Sequence, residues 1–250
     1  MKKFLICTGV VLGVLVLAAY IFLQFFLGSM VKSGVSQHGT RLTQTKVELR
    51  TANLSPLSGR GTLWGFSVAN PKGWSGHDAF SIGTIHIELA PFSIFGNHIL
   101  IHEIVIDSPQ FNYEAGILSS NIGDLLKNVK EAAEVGKKAP VEHPIKLEVQ
   151  HIVVRNAKVT VGFGPAATTM PMPTVELNDI GVKEGGVAPG QVALAIMHSI
   201  TPSVIAVTTH TVVHIVPTLG NAAETTVKKT GEAIKDIFED KDKDKDKDKK

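Results

Sequence analysis

The chain has 250 residues with 25 basic and 23 acidic side chains, a net charge of +2. Its last ten residues hold six Lys and four Asp. Without them the chain carries 19 basic and 19 acidic residues, so the pI of 8.6 is not a nucleic-acid signature. A single cysteine excludes a disulfide framework, and a charged fraction of only 19% is sparse for a soluble surface of this size.

The first element is the apolar run Phe4 to Leu27, broken only by Thr8, two glycines and Gln24. As a helix it is roughly 36 Å long, enough to cross a bilayer core of about 30 Å. A cleaved secretory signal has a shorter apolar region and a small-x-small cleavage site. Here Gly28-Ser-Met-Val-Lys32 follows instead, and the run reads as an uncleaved signal anchor over residues 1–28. Lys2 and Lys3 precede the span while Lys32 and Arg41 follow it, so the positive-inside count is nearly balanced. A short leading tail normally stays inside, which places the body on the far side of the membrane.

Residues 29–45 read as a polar juxtamembrane connector, with a short helix as the alternative. Strand rhythm begins at Lys46, with alternation over 46–50, turn chemistry over 53–60, and a second alternating run over 62–68. In that run Trp64, Phe66 and Val68 share a face. In the next, Ile85, Ile87 and Leu89 face one way, with His86 and Glu88 opposite. Pro91 to Asn97 interrupts. Ile99 to Asp107 is apolar on both sides near its centre, which predicts a strand covered twice; Ser108-Pro109 breaks it and Phe111 to Tyr113 continues it.

A helix follows, with Asn121 and Asp124 as a capping pair and Ile122, Leu125, Leu126, Val129 and Ala133 as one buried stripe. The segment 46–136 is thus a sheet plus a helix. Strands resume after the linker at 136–144: Ile145 to Gln150, a turn at Arg155-Asn156, Ala157 to Phe163, and Thr174 to Asn178. This second set, within 145–216, loosely echoes the first. Gln191 to Ile200 has helical spacing that Thr201-Pro202 is expected to end, and the uncharged stretch around it reads as buried rather than as a second span. An amphipathic helix is expected over 218–239 and a disordered Lys-Asp tail over 240–250.

Chemical motifs are weak. Ser29-Met-Val-Lys32 and Lys229-Thr-Gly231 fit two elements of penicillin-binding enzymes, but the third is missing and Ser29 sits at the membrane exit. His98/His102 and His210/His214 have a zincin spacing without the Glu that would activate water. No catalytic, cofactor-binding or metal-binding residue is assigned, and the chain is read as not an enzyme. The candidate site is apolar: Trp64, Phe66, Val68, Ile85, Ile87 and Leu89 on a curled sheet would hold acyl chains. The alternative is that the Ile122/Leu125/Leu126 stripe covers them as a packed core.

The block from Leu42 to Tyr113 resembles the amino-terminal part of the AsmA family of bacterial membrane-anchored proteins. The likeness is carried by the anchor, by Gly61-Thr-Leu-Trp-Gly-Phe-Ser-Val-Ala-Asn-Pro71, by Ala79 to Leu89, and by Ile101-His-Glu-Ile-Val-Ile-Asp-Ser-Pro109. Asn121 to Leu126 and Ala157 to Val161 extend it, to roughly residues 1–185. The resemblance implies an α+β protein with one transmembrane helix and a mostly antiparallel, curled β-sheet with covering helices. It further implies a single pass through the bacterial inner membrane, a periplasmic body, and a role in envelope assembly or lipid movement. Membrane, lipid or other envelope proteins are the partners it suggests, and nucleic acid is not. The family brings no catalytic residues, and this chain is too short to bridge two membranes.

Overall fold

The computed structural model describes residues 2–116, 118–138, 145–162 and 167–215. Helix α1 runs unbroken from Lys2 to Thr43. The apolar run and the polar segment after it are one helix, so the expected connector continues the anchor as far as Thr43. Nothing in 28–43 breaks a helix, and its polar residues alternate with Met30, Val31 and Val35 at helical spacing.

A nine-stranded sheet follows, built from β1 (Val47–Leu54), β2 (Arg60–Ala69), β3 (Asp78–Leu89), β4 (His98–Asp107), β5 (Gln110–Tyr113), β6 (Lys146–Arg155), β7 (Lys158–Val161), β8 (Thr168–Pro171) and β9 (Val175–Ile180). The first four strands form an antiparallel meander. Helix α2 (Asn121–Lys138) then acts as a crossover, so β6 returns parallel to β4 and β7 parallel to β5. The sheet is therefore mixed but mostly antiparallel, as expected: among the described residues only β4–β6 and β5–β7 pair in parallel. Strands β8 and β9 close it with antiparallel pairs on β7 and β6. The short strand β8 lacks apolar alternation and escapes a reading by pattern. The second strand set adds to the same sheet as the first, and the echo between them has a cause: β4–β5 and β6–β7 are neighbours in register, Asp107 opposite Arg155 and Phe111 opposite Val159.

One feature sets the curvature. In five lines of strand the buried or half-buried positions alternate, skip by three, and alternate again: Leu49 to Ala52, Leu63 to Phe66, Ile82 to Ile85, Ile106 to Pro109, Val154 to Ala157. The skipped pairs are Arg50-Thr51, Trp64-Gly65, Gly83-Thr84, Asp107-Ser108 and Arg155-Asn156. They lie in one row across the sheet, because Thr51 pairs with Trp64, Trp64 with Thr84, Thr84 with Asp107, and Asp107 with Arg155. Gly65, Ser108 and Asn156 have positive φ, of 63°, 54° and 55°. The row is a transverse crease at which each strand passes two successive residues on the outer side and then resumes with its apolar residues still facing inward. Arg155-Asn156, expected as a turn, is part of this crease, and the chain passes through it without reversing.

A large apolar cluster fills the interior. It joins Leu63, Val68, Ile85 and Leu89 of the meander to Val149, Ile152 and Val154 of β6, to Ile122 and Leu125 of α2, and to Val192, Met197, Ile200 and Val204 of α3 (Pro189–Ile215). Above the crease, the rings of Phe66, Phe80 and Phe111 pack in a tilted arrangement across three strands, with centroid separations of 6.0 and 5.5 Å. Helix α2 is capped by Ser120, whose Oγ accepts from the Gly123 backbone N–H at 3.1 Å. Asn121, expected at the cap, is instead fully buried: its Oδ1 accepts from the Glu114 and Ile122 backbone N–H groups, and its Nδ2 donates to Asn70 Oδ1 and the Asn112 carbonyl. Helix α3 continues through Pro202, where a stop was expected. One turn back, Thr201 Oγ1 donates to the Met197 carbonyl at 2.6 Å. The expected helix at 218–239 and the tail at 240–250 lie outside the described residues.

Two outcomes follow from this packing. Leu27 is 1% exposed, at the point where the anchor meets the sheet, whereas Val14 is 61% exposed. Leu27→Ala is expected to lower stability by about 2–5 kcal/mol, as for other buried leucines, and Val14→Ala to leave the midpoint unchanged, both read by denaturant titration of detergent-solubilised protein. At the crease, Gly65→Ala would force a Cβ into the left-handed region and to 2.9 Å from Arg50 Cβ. Its expected cost is about 1–2 kcal/mol or more. The control is Gly83→Ala, where a Cβ meets nothing within 4 Å; it is expected to be neutral or stabilising by about 0.4–1 kcal/mol.

Candidate functional site: the junction of anchor and sheet

Helix α1 lies antiparallel along β1. Thr40 Oγ1 accepts from the Val47 backbone N–H at 3.1 Å, and Gly28 abuts the Ala52 carbonyl so closely that no side chain fits there. Further down, the Tyr20 hydroxyl and Ser55 Oγ are hydrogen-bonded at 3.2 Å, and Gln24 Nε2 donates to the same Tyr20 oxygen at 3.0 Å. The two spacings agree: twelve helical residues rise about 18 Å and five strand residues about 17 Å. The edge strand thus runs down the helix and reaches into the level of the apolar run.

Two cavities follow this junction. The larger, about 890 Å³, lies between Lys32 and Ser36 of α1 and the crease, reaching Arg50, Gly65, Ser81, Gly83 and Ser108. The smaller, about 330 Å³, sits nearer the membrane end between Gln24, Phe25, Gly28, Ser29 and Lys32 on the helix and Arg50, Ala52 and Trp64 on the sheet. Lys32, Arg50 and Trp64 border both. Lys46 Nζ is 2.6 Å from Glu48 Oε1, and this hydrogen-bonded pair raises the lysine's pKa and lowers the carboxylate's; both groups are exposed, so the pair adds little to stability. Among the described residues Lys32 and Arg50 form no salt bridge. The membrane-side cavity therefore combines two cations with the aromatic faces of Phe25 and Trp64.

The six residues of the candidate groove are divided by the crease. Val68, Ile85 and Leu89 are buried in the common interior, and Phe66 and Ile87 pack against it half-buried. Trp64 is 38% exposed and lines the junction cavities instead. It pairs with Thr84, whereas Ile85 pairs with Leu63. The α2 stripe fills the interior: Ile122 and Leu125 are core residues and Leu126 packs beside them. Sequence reasoning missed Tyr20, Lys32 and Arg50. The helical continuation past Leu27 and the outward pair Arg50-Thr51 were the signals that would have found them.

The outer face of the sheet is polar and laddered. His98 faces Glu148 (3.2 Å), His102 faces Gln150 (3.0 Å), and His151 faces Glu103 (3.4 Å). The His98/His102 spacing therefore serves cross-strand pairing. Among the described residues no group of three or more His, Cys, Asp or Glu is placed to hold a metal. The side chains of His210 and His214 and the segment Lys229-Thr-Gly231 lie outside the described residues. At the crease Asp107 accepts from Asn156 Nδ2 (2.9 Å), Ser108 Oγ (3.1 Å) and Arg155 (3.2 Å), tying together the two left-handed residues of adjacent strands. These bonds, Asn156's first, hold its carboxyl below the ordinary range.

What these features define is a β-sheet body carried on a helix long enough to cross a membrane, joined to that helix by packing rather than by a linker. The AsmA family model matches residues 1–195, and the chain belongs to the AsmA family. No curated protein and no solved structure matches it.

The lowered Asp107 carboxyl gives a pH prediction. Its stabilising contribution is present above the unfolded pKa of about 3.9 and is lost as pH falls through the lower folded value. Asp107→Ala is expected to reduce stability at pH 7 and to flatten the acid limb below about pH 4. Denaturant midpoints of the two proteins across that range check it.

Proposed function

We propose that this is a non-enzymatic envelope protein, held by one pass in the bacterial inner membrane with its body in the periplasm. In this reading it contacts lipid at the junction of anchor and sheet. The observation that carries the proposal is where these two cavities lie: both run beside the anchor, while α2 and α3 pack into the sheet's interior. An anchored body with a packed core suits a scaffold for envelope assembly. The 330 Å³ cavity, with Phe25 and Trp64 beside Lys32 and Arg50, matches the glycerol region and anionic headgroup of a phospholipid entering from the adjacent leaflet.

The test is lipid retention. After gentle detergent extraction, native mass spectrometry of the full chain is expected to show bound anionic phospholipid on the wild type and its loss in a Lys32→Gln/Arg50→Gln double variant. A lipid-free wild type would leave a structural scaffold without ligand. Lipid retained equally by both would move the site away from the junction.

A further inference from the structure

We propose that the turns β1–β2 (55–59) and β3–β4 (90–97) form an apolar tip that enters the outer boundary of the bilayer beside α1, giving the body a second point of membrane contact. The proposal rests on the reading that α1 spans.

Depth is the first argument. Starting from Phe4, a hydrocarbon core of about 30 Å ends after about 20 helical residues, near Leu23 and Gln24. The Tyr20–Ser55 hydrogen bond puts the start of the β1–β2 turn at or below that boundary. Leu57 lies two residues beyond it. The β3–β4 turn is held at the same level, because the Leu89 backbone N–H donates to the Gly59 carbonyl at 2.8 Å and Gly59 abuts Leu89 and Pro91.

Chemistry is the second argument. Ser55-Pro-Leu-Ser-Gly59 and Ala90-Pro-Phe-Ser-Ile-Phe-Gly-Asn97 contain no Asp, Glu, Lys or Arg across thirteen residues. Leu57 is 60% exposed, Phe92 57% and Phe95 55%. Phe92 holds a left-handed backbone, φ 64°, an uncommon conformation for a large side chain. Charge reappears just above the tips, with Arg60 facing Glu88 at 3.7 Å. The opposite end of the meander is different. There the 70–77 turn is polar, Trp74 Nε1 donates to Asp124, and Asn70 and Ser75 bond Glu114. Two uncharged turns with exposed Leu57, Phe92 and Phe95, at the depth where the anchor leaves the hydrocarbon, fit a lipid boundary better than water.

Site-directed spin labelling of the full chain tests this. On a Cys7→Ser background, Leu57→Cys, Phe92→Cys, Phe95→Cys, Lys72→Cys and Leu17→Cys are labelled one at a time and reconstituted into phosphatidylcholine/phosphatidylglycerol vesicles. Labels at 57, 92 and 95 are expected to be more accessible to oxygen than to a water-soluble nickel chelate, and the label at 72 the reverse. Chelate-accessible labels at 57, 92 and 95, with 17 in lipid, would overturn the tip. Labels at those three positions shielded from both reagents would put protein there and overturn it too. A chelate-accessible label at 17 would mean the anchor does not span, and the tip proposal would fall with it.

Discussion

The packing of one continuous helix along one edge strand is the constraint from which the rest of this molecule follows. Helix α1 has two environments: lipid-compatible around Val14, and an interior site at Leu27, where the same helix becomes part of the folded body. Gly28 against the Ala52 carbonyl allows the close approach, and the hydrogen bonds at Thr40–Val47 and Tyr20–Ser55 fix the register at both ends. With no flexible segment between Leu27 and Thr43, the height and tilt of the sheet are set by the helix. An edge strand that would otherwise offer unpaired backbone groups is covered in the same stroke.

The crease is the complementary device. A flat nine-stranded sheet cannot enclose a core with two helices alone. Passing two successive residues on the outer side in each of five lines of strand bends the sheet so that residues above and below the row share one interior. The outward pairs are not idle. Asp107 clamps Ser108 and Asn156, while Arg50 and Trp64 face the space beside α1. The bend that closes the core thus creates the junction cavities, and the core and the candidate site are two sides of one fold line.

Much of this was legible in the sequence. Apolar length announced the anchor, period-2 alternation announced the meander, and the Ile122/Leu125 stripe announced a helix lying on it. What failed did so for local reasons. Strict alternation carried Trp64 inward with Phe66 and Val68, because a single left-handed glycine between them has no periodic signature. The same blind spot made Arg155-Asn156 read as a turn. Pro202 reads as a stop, though the surrounding apolar packing of Ile200 and Val204 keeps the helix going. The parallel pairing of β4 with β6 is a tertiary choice that depends on where α2 crosses, and no window of residues encodes it. The junction has no signature of its own, because the residues that build it are split between α1 and the strands of the sheet.

The crossover has a consequence for the order in which the molecule assembles. β1 to β4 pair through short turns, so the meander can zip up as soon as it is made, next to the helix that carries it. β6 is different: its partner on β4 lies 48 positions upstream, His98 against Lys146, and docking must await the intervening helix. Closing so long a loop is entropically slow. Until it closes, β4 is a bare border with apolar residues on both sides, held within reach of neighbouring copies on the same membrane. The stage between the meander and the arrival of β6 is therefore when this chain is most exposed to mispairing, and chaperone protection would matter most there.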